Sequence, residues 1–255
     1  MKITVIGVGN MGSAIIKGLL NRGNDEVAGM NPVNPRVSKL AKKAGFALYH
    51  SGEEVVSQKP DVVVLTTPAP VTLSVLKKLQ GLGKKTVIIS AAAGIRIAEI
   101  SQLFPDNPVA AIIPNTPVAV NAGTIGLALS ENTPAPAYDK INHVLSQLGD
   151  VITVPESQLG IVGVVGGCGP AFVDVFMDAL GDAAVKYGLD RQTTYQLIAS
   201  MVKGSGALAY HSKLTPAQLR DQVTSPGGTT IRGVEALEKA GFRYAVIDAV
   251  NKANH

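Results

Sequence analysis

Three clusters in this 255-residue chain have residue types and spacing suited to chemistry. The first is Gly7-Val8-Gly9-Asn10-Met11-Gly12, a GxGxxG pattern between an apolar run and an amphipathic one. Strand, glycine turn and helix in that order cradle a dinucleotide pyrophosphate. Gly7 permits the tight turn, Gly9 lets backbone N–H groups, those of Asn10 and Met11 among them, approach the phosphates, and Gly12 lets helix and strand pack closely. The helix N-terminus adds partial positive charge. The second cluster is Gly29-Met30-Asn31-Pro32-Val33-Asn34-Pro35-Arg36. A carboxylate about 20 positions past the glycines would hold the ribose hydroxyls of NAD. None is present. Asn31 tolerates a phosphate without repulsion and Arg36 is able to pair with one, which favours NADPH, with NADH the weaker cofactor. Arg36 as a solvated helix-start residue is the competing reading. The third cluster is Ser225-Pro226-Gly227-Gly228-Thr229-Thr230, ahead of a helical pattern. Two glycines before a helix N-terminus make a second anion site, suited to a carboxylate. The hydroxyls of Thr229 and Thr230 are able to cap the helix or bond a substrate, and a plain capping turn accounts for the same residues.

These clusters need elements to hold them. Residues 2–6, 26–30, 61–65, 85–90 and 109–113 read as strands, and 11–21, 37–44 and 71–79 as helices. The run Asp61-Val62-Val63-Val64-Leu65 is continuous in the way of strands buried on both faces. This rhythm predicts an α/β fold, an N-terminal Rossmann-type doubly wound parallel sheet with helices on both faces. After about Pro155 the pattern becomes helical, over residues 171–187, 193–210, 217–223, 229–239 and 244–251. The expected division is a dinucleotide-binding domain over residues 1–155 and an all-helical domain over 156–255.

Composition narrows the class. With 46% hydrophobic and 16% charged residues, intrinsic disorder is excluded. A net charge of +4 is too small to argue for nucleic acid and mildly favours a small anionic ligand. One cysteine, Cys168, excludes an intramolecular disulfide and a cysteine metal cluster, and four dispersed histidines give no metal-site spacing, so no metal is expected. The apolar start is broken by Gly7, Gly9 and Gly12. Residues 161–173 carry four glycines and a proline and fall short of the ~20 that a spanning helix needs. The expectation is a cytoplasmic protein with no membrane segment.

The stretch from Leu219 to Glu238 (LRDQVTSPGGTTIRGVEALE), the Pro114-Asn115-Thr116-Pro117 segment and Gly169-Pro170-Ala171-Phe172 together resemble the Δ1-pyrroline-5-carboxylate reductase family, over essentially the whole chain. The resemblance implies hydride transfer from NADPH to the C=N bond of a small cyclic imine carboxylate. A cyclic imine protonates near neutral pH, so orientation matters more than a strong acid. By resemblance Thr230 is catalytic and Val223, Gly228, Thr229 and Thr230 bind substrate. Thr66, Thr67 and Pro68 belong to the cofactor loop. Ala91, Ala92 and Ala93 follow a strand, where small residues leave room for a nicotinamide or simply pack tightly; the resemblance points to cofactor contact. It also implies a homodimer of helical domains or a larger ring of dimers, which apolar helices beyond what ~100 residues can bury support. There are departures. The family's loop Lys before Pro is missing from Thr66-Thr67-Pro68-Ala69. Family serines appear as Gly166 and Cys168, and Ala111, Ile112 and Ile113 stand where an Arg often precedes the PNTP segment. Cys168, without a neighbouring base, is expected to be buried and inert. Three alternatives remain. β-Hydroxyacid dehydrogenases require a Lys followed by an Asn, and Lys186 lacks that Asn. A related imine reductase would take a six-membered ring. A non-catalytic NADPH-binding protein is disfavoured by the intact Gly228-Thr229-Thr230.

Overall fold

The computed structural model describes residues 1–254. The chain divides into two compact units, one over Met1–Cys168 and one beginning at Gly169. The first unit opens with β1 (Lys2–Ile6), α1 (Asn10–Arg22), β2 (Glu26–Met30), α2 (Pro35–Ala44), β3 (Ala47–Tyr49), α3 (Gly52–Ser57) and β4 (Val62–Leu65). It continues through α4 (Ala69–Lys77), β5 (Val87–Ser90), α5 (Ile97–Leu103), β6 (Val109–Pro114), β7 (Gly123–Leu129), α6 (Ala135–Ser146) and β8 (Gly149–Thr153). It ends in α7 (Leu159–Val162) and a π-helical turn, Gly163–Cys168.

The eight strands form one sheet in the order β3-β2-β1-β4-β5-β6-β7-β8. All neighbours are parallel except β6 and β7, which run antiparallel. The expected parallel sheet therefore carries one reversal near its edge. Alternate residues of the central strands feed two cores. Val5, Val62, Val64, Val87 and Ile89 join Ile15, Ile16 and Leu19 of α1 on one side, and Ile6, Val63, Leu65 and Ile88 join Leu76 and Ile100 on the other. Burial on both faces explains the unbroken apolar runs of these strands. The order reverses between β1 and β4, so both strand ends open on one crevice, where ligands of open α/β sheets bind.

The second unit consists of α8 (Gly169–Lys186), α9 (Arg191–His211), α10 (Pro216–Gln222), α11 (Thr229–Lys239) and α12 (Phe242–Ala253). Among its described residues Ile198 is the only buried hydrophobic side chain, while Val175, Leu197, Tyr244 and Ile247 are each more than half exposed. The segment 161–173, read as too short to span a membrane, lies within a helical run of 31 residues from Glu156 to Lys186. That run is long and apolar enough to do so by length and composition.

Candidate active site

The glycine turn sits between β1 and α1 at the crevice. Gly7 takes a left-handed φ of 93°, and a Cβ on Gly12 would collide with the Gly7 carbonyl oxygen. These two glycines are required by the turn itself. Gly9 differs, since a Cβ there would meet no protein atom within 4 Å. Its missing side chain leaves space outside the protein, directly before the N-terminus of α1. The N–H groups of Asn10 and Met11 have no partner within the helix, because they lie in its first turn. Such a cradle fits a pyrophosphate.

The end of β2 holds the same turn. Asn31 Oδ1 accepts the Val8 N–H at 3.1 Å, and Arg36 Nη2 donates to the Val8 carbonyl at 3.1 Å. Both residues therefore clamp Val8 of the glycine turn, one at each of its two peptide groups. The Asn31 amide is also spent on the Pro32 carbonyl at 2.8 Å. Arg36 is exposed and keeps further guanidinium donors beyond that single bond. Asn34 caps α2 by accepting the N–H groups of Arg36 and Val37 at 3.0 and 3.3 Å, which fixes where the arginine leaves the backbone. His50 Nδ1 lies 2.9 Å from the Asn31 carbonyl. Nothing in the sequence pattern signalled that histidine.

The hydroxyls of the β4–α4 loop are engaged by the protein. Thr66 Oγ1 lies 2.7 Å from the Gly7 carbonyl, and the Thr67 and Thr72 hydroxyls meet at 2.8 Å. Pro68 precedes α4 and its carbonyl accepts the Val71 N–H. Thr66 thus ties this loop to the glycine turn. Beyond β5, the Ala91 N–H donates to the Leu65 carbonyl at 2.8 Å, Ala92 is buried and Ala93 is exposed.

A cavity of about 480 Å³ opens at the carboxyl ends of β5 and β6. Ala92, Ala93, Ile113, Val164 and Cys168 are among its walls. Its polar groups are largely committed. Ser90 Oγ accepts the Ala92 N–H, and Glu156 Oε1 accepts the Ile97 N–H at 2.6 Å, capping α5. Glu99 is held below the usual carboxylate range, chiefly by accepting the Arg96 N–H. An apolar slot without an acid–base pair suits a flat ring that transfers hydride. Cys168 is half-buried on this wall and not sequestered as the sequence suggested.

The Thr230 cluster belongs to the second unit. Gly227 has φ 66°, and a Cβ on Gly228 would run into Ser225. The Gly228 N–H donates to the Ser225 carbonyl at 3.0 Å, so it closes the turn and is not a free donor. Gly228 is the N-cap of α11 and carries no side-chain cap, leaving the first-turn N–H groups of Thr229 and Thr230 unpaired within the helix. The hydroxyl-cap reading of these threonines is therefore not realised. Val223 ends α10 and is 65% exposed, available to a ligand or a partner.

Residues 156–255 match the family model described as pyrroline-5-carboxylate reductase dimerisation, and residues 2–94 match that of NADP oxidoreductase, coenzyme F420-dependent. The chain is 36% identical to the pyrroline-5-carboxylate reductase of Treponema pallidum, covering 99% of this chain and 98% of the relative. It is 34% identical to that of Synechocystis over 99% of this chain and 96% of the relative. The solved pyrroline carboxylate reductase of Plasmodium falciparum, which has NADP bound, superposes with a TM-score of 0.86 at 28% identity, over 100% of this chain and 95% of that one.

Proposed function

The chain belongs to the pyrroline-5-carboxylate reductase family, and we propose that it reduces the C=N bond of Δ1-pyrroline-5-carboxylate to give L-proline, with NADPH as the preferred reductant and NADH a weaker one. The observation that carries the reading is the open start of α11. Two unpaired N–H groups and the Thr230 hydroxyl, which has no hydrogen bond among the described residues, stand together inside the segment most typical of the family. Bound NADPH supplies the hydride. The rest of the work is orientation. The Asn10 and Met11 N–H groups hold the pyrophosphate, and the Arg36 guanidinium pairs with the 2′-phosphate while bracing the Val8 carbonyl. Ala91, Ala92 and Ala93 leave room for the nicotinamide. Thr229 and Thr230 N–H groups bind the substrate carboxylate, the Thr230 hydroxyl orients the ring, and Val223 packs against it. One hydride reaches the imine carbon and one proton from solvent reaches the nitrogen, giving the amine and NADP⁺.

Residues 1–155 hold the cofactor, and 156–255 hold the substrate carboxylate and join subunits. The exposed apolar helices of that region are covered by a second copy, in a homodimer or a ring of dimers, and the protein works in the cytoplasm. NADPH oxidation is followed at 340 nm with pyrroline-5-carboxylate beside piperideine-6-carboxylate. Turnover with the five-membered ring, at a higher kcat/KM than with the six-membered one, is expected. Turnover with neither, or a preference for the larger ring, contradicts the proposal.

A further inference from the structure

The geometry points to Asn115 as a positioning residue for the reaction, one that tethers the π-helical turn Gly163–Cys168 as a wall of the cavity beside the nicotinamide. The inference rests on the reading that this cavity receives the reacting ring.

Asn115 directly follows β6 and is 6% exposed. Its Nδ2 donates to the Gly166 carbonyl at 3.0 Å, across 51 residues, and its Oδ1 accepts the Thr124 N–H of β7 at 2.9 Å. The two partners fix the amide orientation, since one is a carbonyl and the other an N–H. Only a side chain that donates at one end and accepts at the other joins them. Apart from the buried Val164 side chain, the turn it holds has little to anchor it. Gly166 and Gly167 have no side chains, and a Cβ on either would meet nothing closer than 3.9 Å. A Cβ on Gly163 would meet the Ile113 side chain at 3.4 Å, so that end of the turn lies close to β6, and Asn115 holds the turn at Gly166. A π-helical turn is rare and frequently marks a functional site. Here it carries Gly163, Val164 and Cys168 into the lining of the cavity that Ala92 and Ala93 also line. Releasing the turn would widen the slot in which donor and acceptor carbons must meet, and small displacements there reduce the rate steeply.

Cys168 is the only cysteine, so its thiol reports on the turn without labelling anything else. In Asn115→Asp the carboxylate still accepts from Thr124 but faces the Gly166 carbonyl without a proton to give. The intact oligomer is treated with 5,5′-dithiobis(2-nitrobenzoate), and kinetics are measured on the same preparation. The thiol should react about tenfold faster than in the wild type, and kcat should fall about tenfold while the KM for NADPH stays within about twofold. A general loss of stability would lower the melting temperature without that split. Thiol and kcat changes that fail to occur together, or that both stay within about twofold in a folded variant, overturn the inference. Should Asn115→Asp not fold, the wild type decides. Saturating NADPH should protect Cys168 about tenfold, and 2′-phospho-ADP-ribose, which lacks the nicotinamide, should not; equal protection overturns it. If the wild type reduces no imine, the proposed activity fails, and the thiol rates still test the tether.

Discussion

Val8 is gripped at both of its peptide groups, by Asn31 at the N–H and by Arg36 at the carbonyl. The residues that stand where NAD-preferring sites place an acid therefore also stiffen the glycine turn. Arg36→Ala should raise the KM for NADPH about tenfold and that for NADH about twofold, the difference being the lost charge-assisted bond to the 2′-phosphate. Steady-state kinetics with both cofactors checks this, and equal increases would leave Arg36 with the bracing role alone. At this scale the GxGxxG turn, Arg36 and the Gly-Gly-Thr-Thr segment were legible, because each is a local pattern whose chemistry lies within a few residues. The engagement of Thr66 with Gly7 across 59 residues, and of Asn115 with Gly166 across 51, was not, since such bonds exist only once the sheet has formed. The role of the Gly228 N–H was hidden for a subtler reason. A glycine pair before a helix is equally an anion nest and a tight turn, and here Ser225 takes the donor.

The strands with unbroken apolar runs and the long helices declared themselves through periodicity, whereas β3, α3, α5, β7 and β8 did not. β3 has three residues, α3 and α5 are one to two turns, β7 (GTIGLAL) contains two glycines, and β8 is mostly unburied without clear alternation. The Pro-rich segment at 133–136 leads into α6, with Pro134 at its N-cap and Pro136 in its first turn. Besides its buried face of Ala137, Ile141, Val144 and Leu145, a long-range polar contact fastens α6 to the sheet. The Asp25 carboxylate, 1% exposed, receives His143 Nε2 at 2.9 Å and Gln147 Nε2 at 2.8 Å from α6 and its C-cap, and pairs with the Met1 ammonium at 2.7 Å. Burial works against its charge, yet the bonds from the ammonium, Gln147 and His143 prevail and hold it below the usual carboxylate range. A carboxyl depressed in the folded state stabilises above its unfolded pKa and loses that stabilisation as pH falls through the folded one. Asp25→Asn should therefore cost about 1–3 kcal/mol at pH 7 and lose part of the wild type's destabilisation below about pH 4. Urea melts at pH 7 and pH 3 give the test; a variant as stable as wild type at pH 7 would deny the junction its role.

The two units bury apolar surface very unequally. The sheet unit fills two cores, while the helical unit leaves Val175, Leu197, Leu208, Phe242, Tyr244 and Ile247 among its many exposed apolar side chains. An apolar cavity of about 550 Å³ between α8, α11 and α12, lined by Phe172, Phe176 and Leu237 among others, belongs to the same surface. At about 25 cal/mol per Å², such surface in water would be a large standing cost. Light scattering at micromolar concentration should thus return twice the 26.4 kDa chain mass or a multiple of it, and an active monomer would contradict the assembly. The sequence announced these helices and an apolar excess beyond what ~100 residues can bury, but not which faces stay exposed, because an apolar face reads the same whether it meets its own core or another copy. The division of labour between the units is tested most directly at Thr230, in the unit that carries no part of the glycine turn. Kinetics of Thr230→Ala at saturating NADPH, with cofactor affinity determined separately by fluorescence, should show kcat/KM for pyrroline-5-carboxylate lowered roughly 10- to 100-fold, about 1.4–2.8 kcal/mol of transition-state binding. NADPH affinity should be unchanged, and stability should move by less than about 0.5 kcal/mol because the hydroxyl caps nothing. Unchanged imine kinetics, or a loss confined to cofactor affinity, would contradict a substrate site at the start of α11.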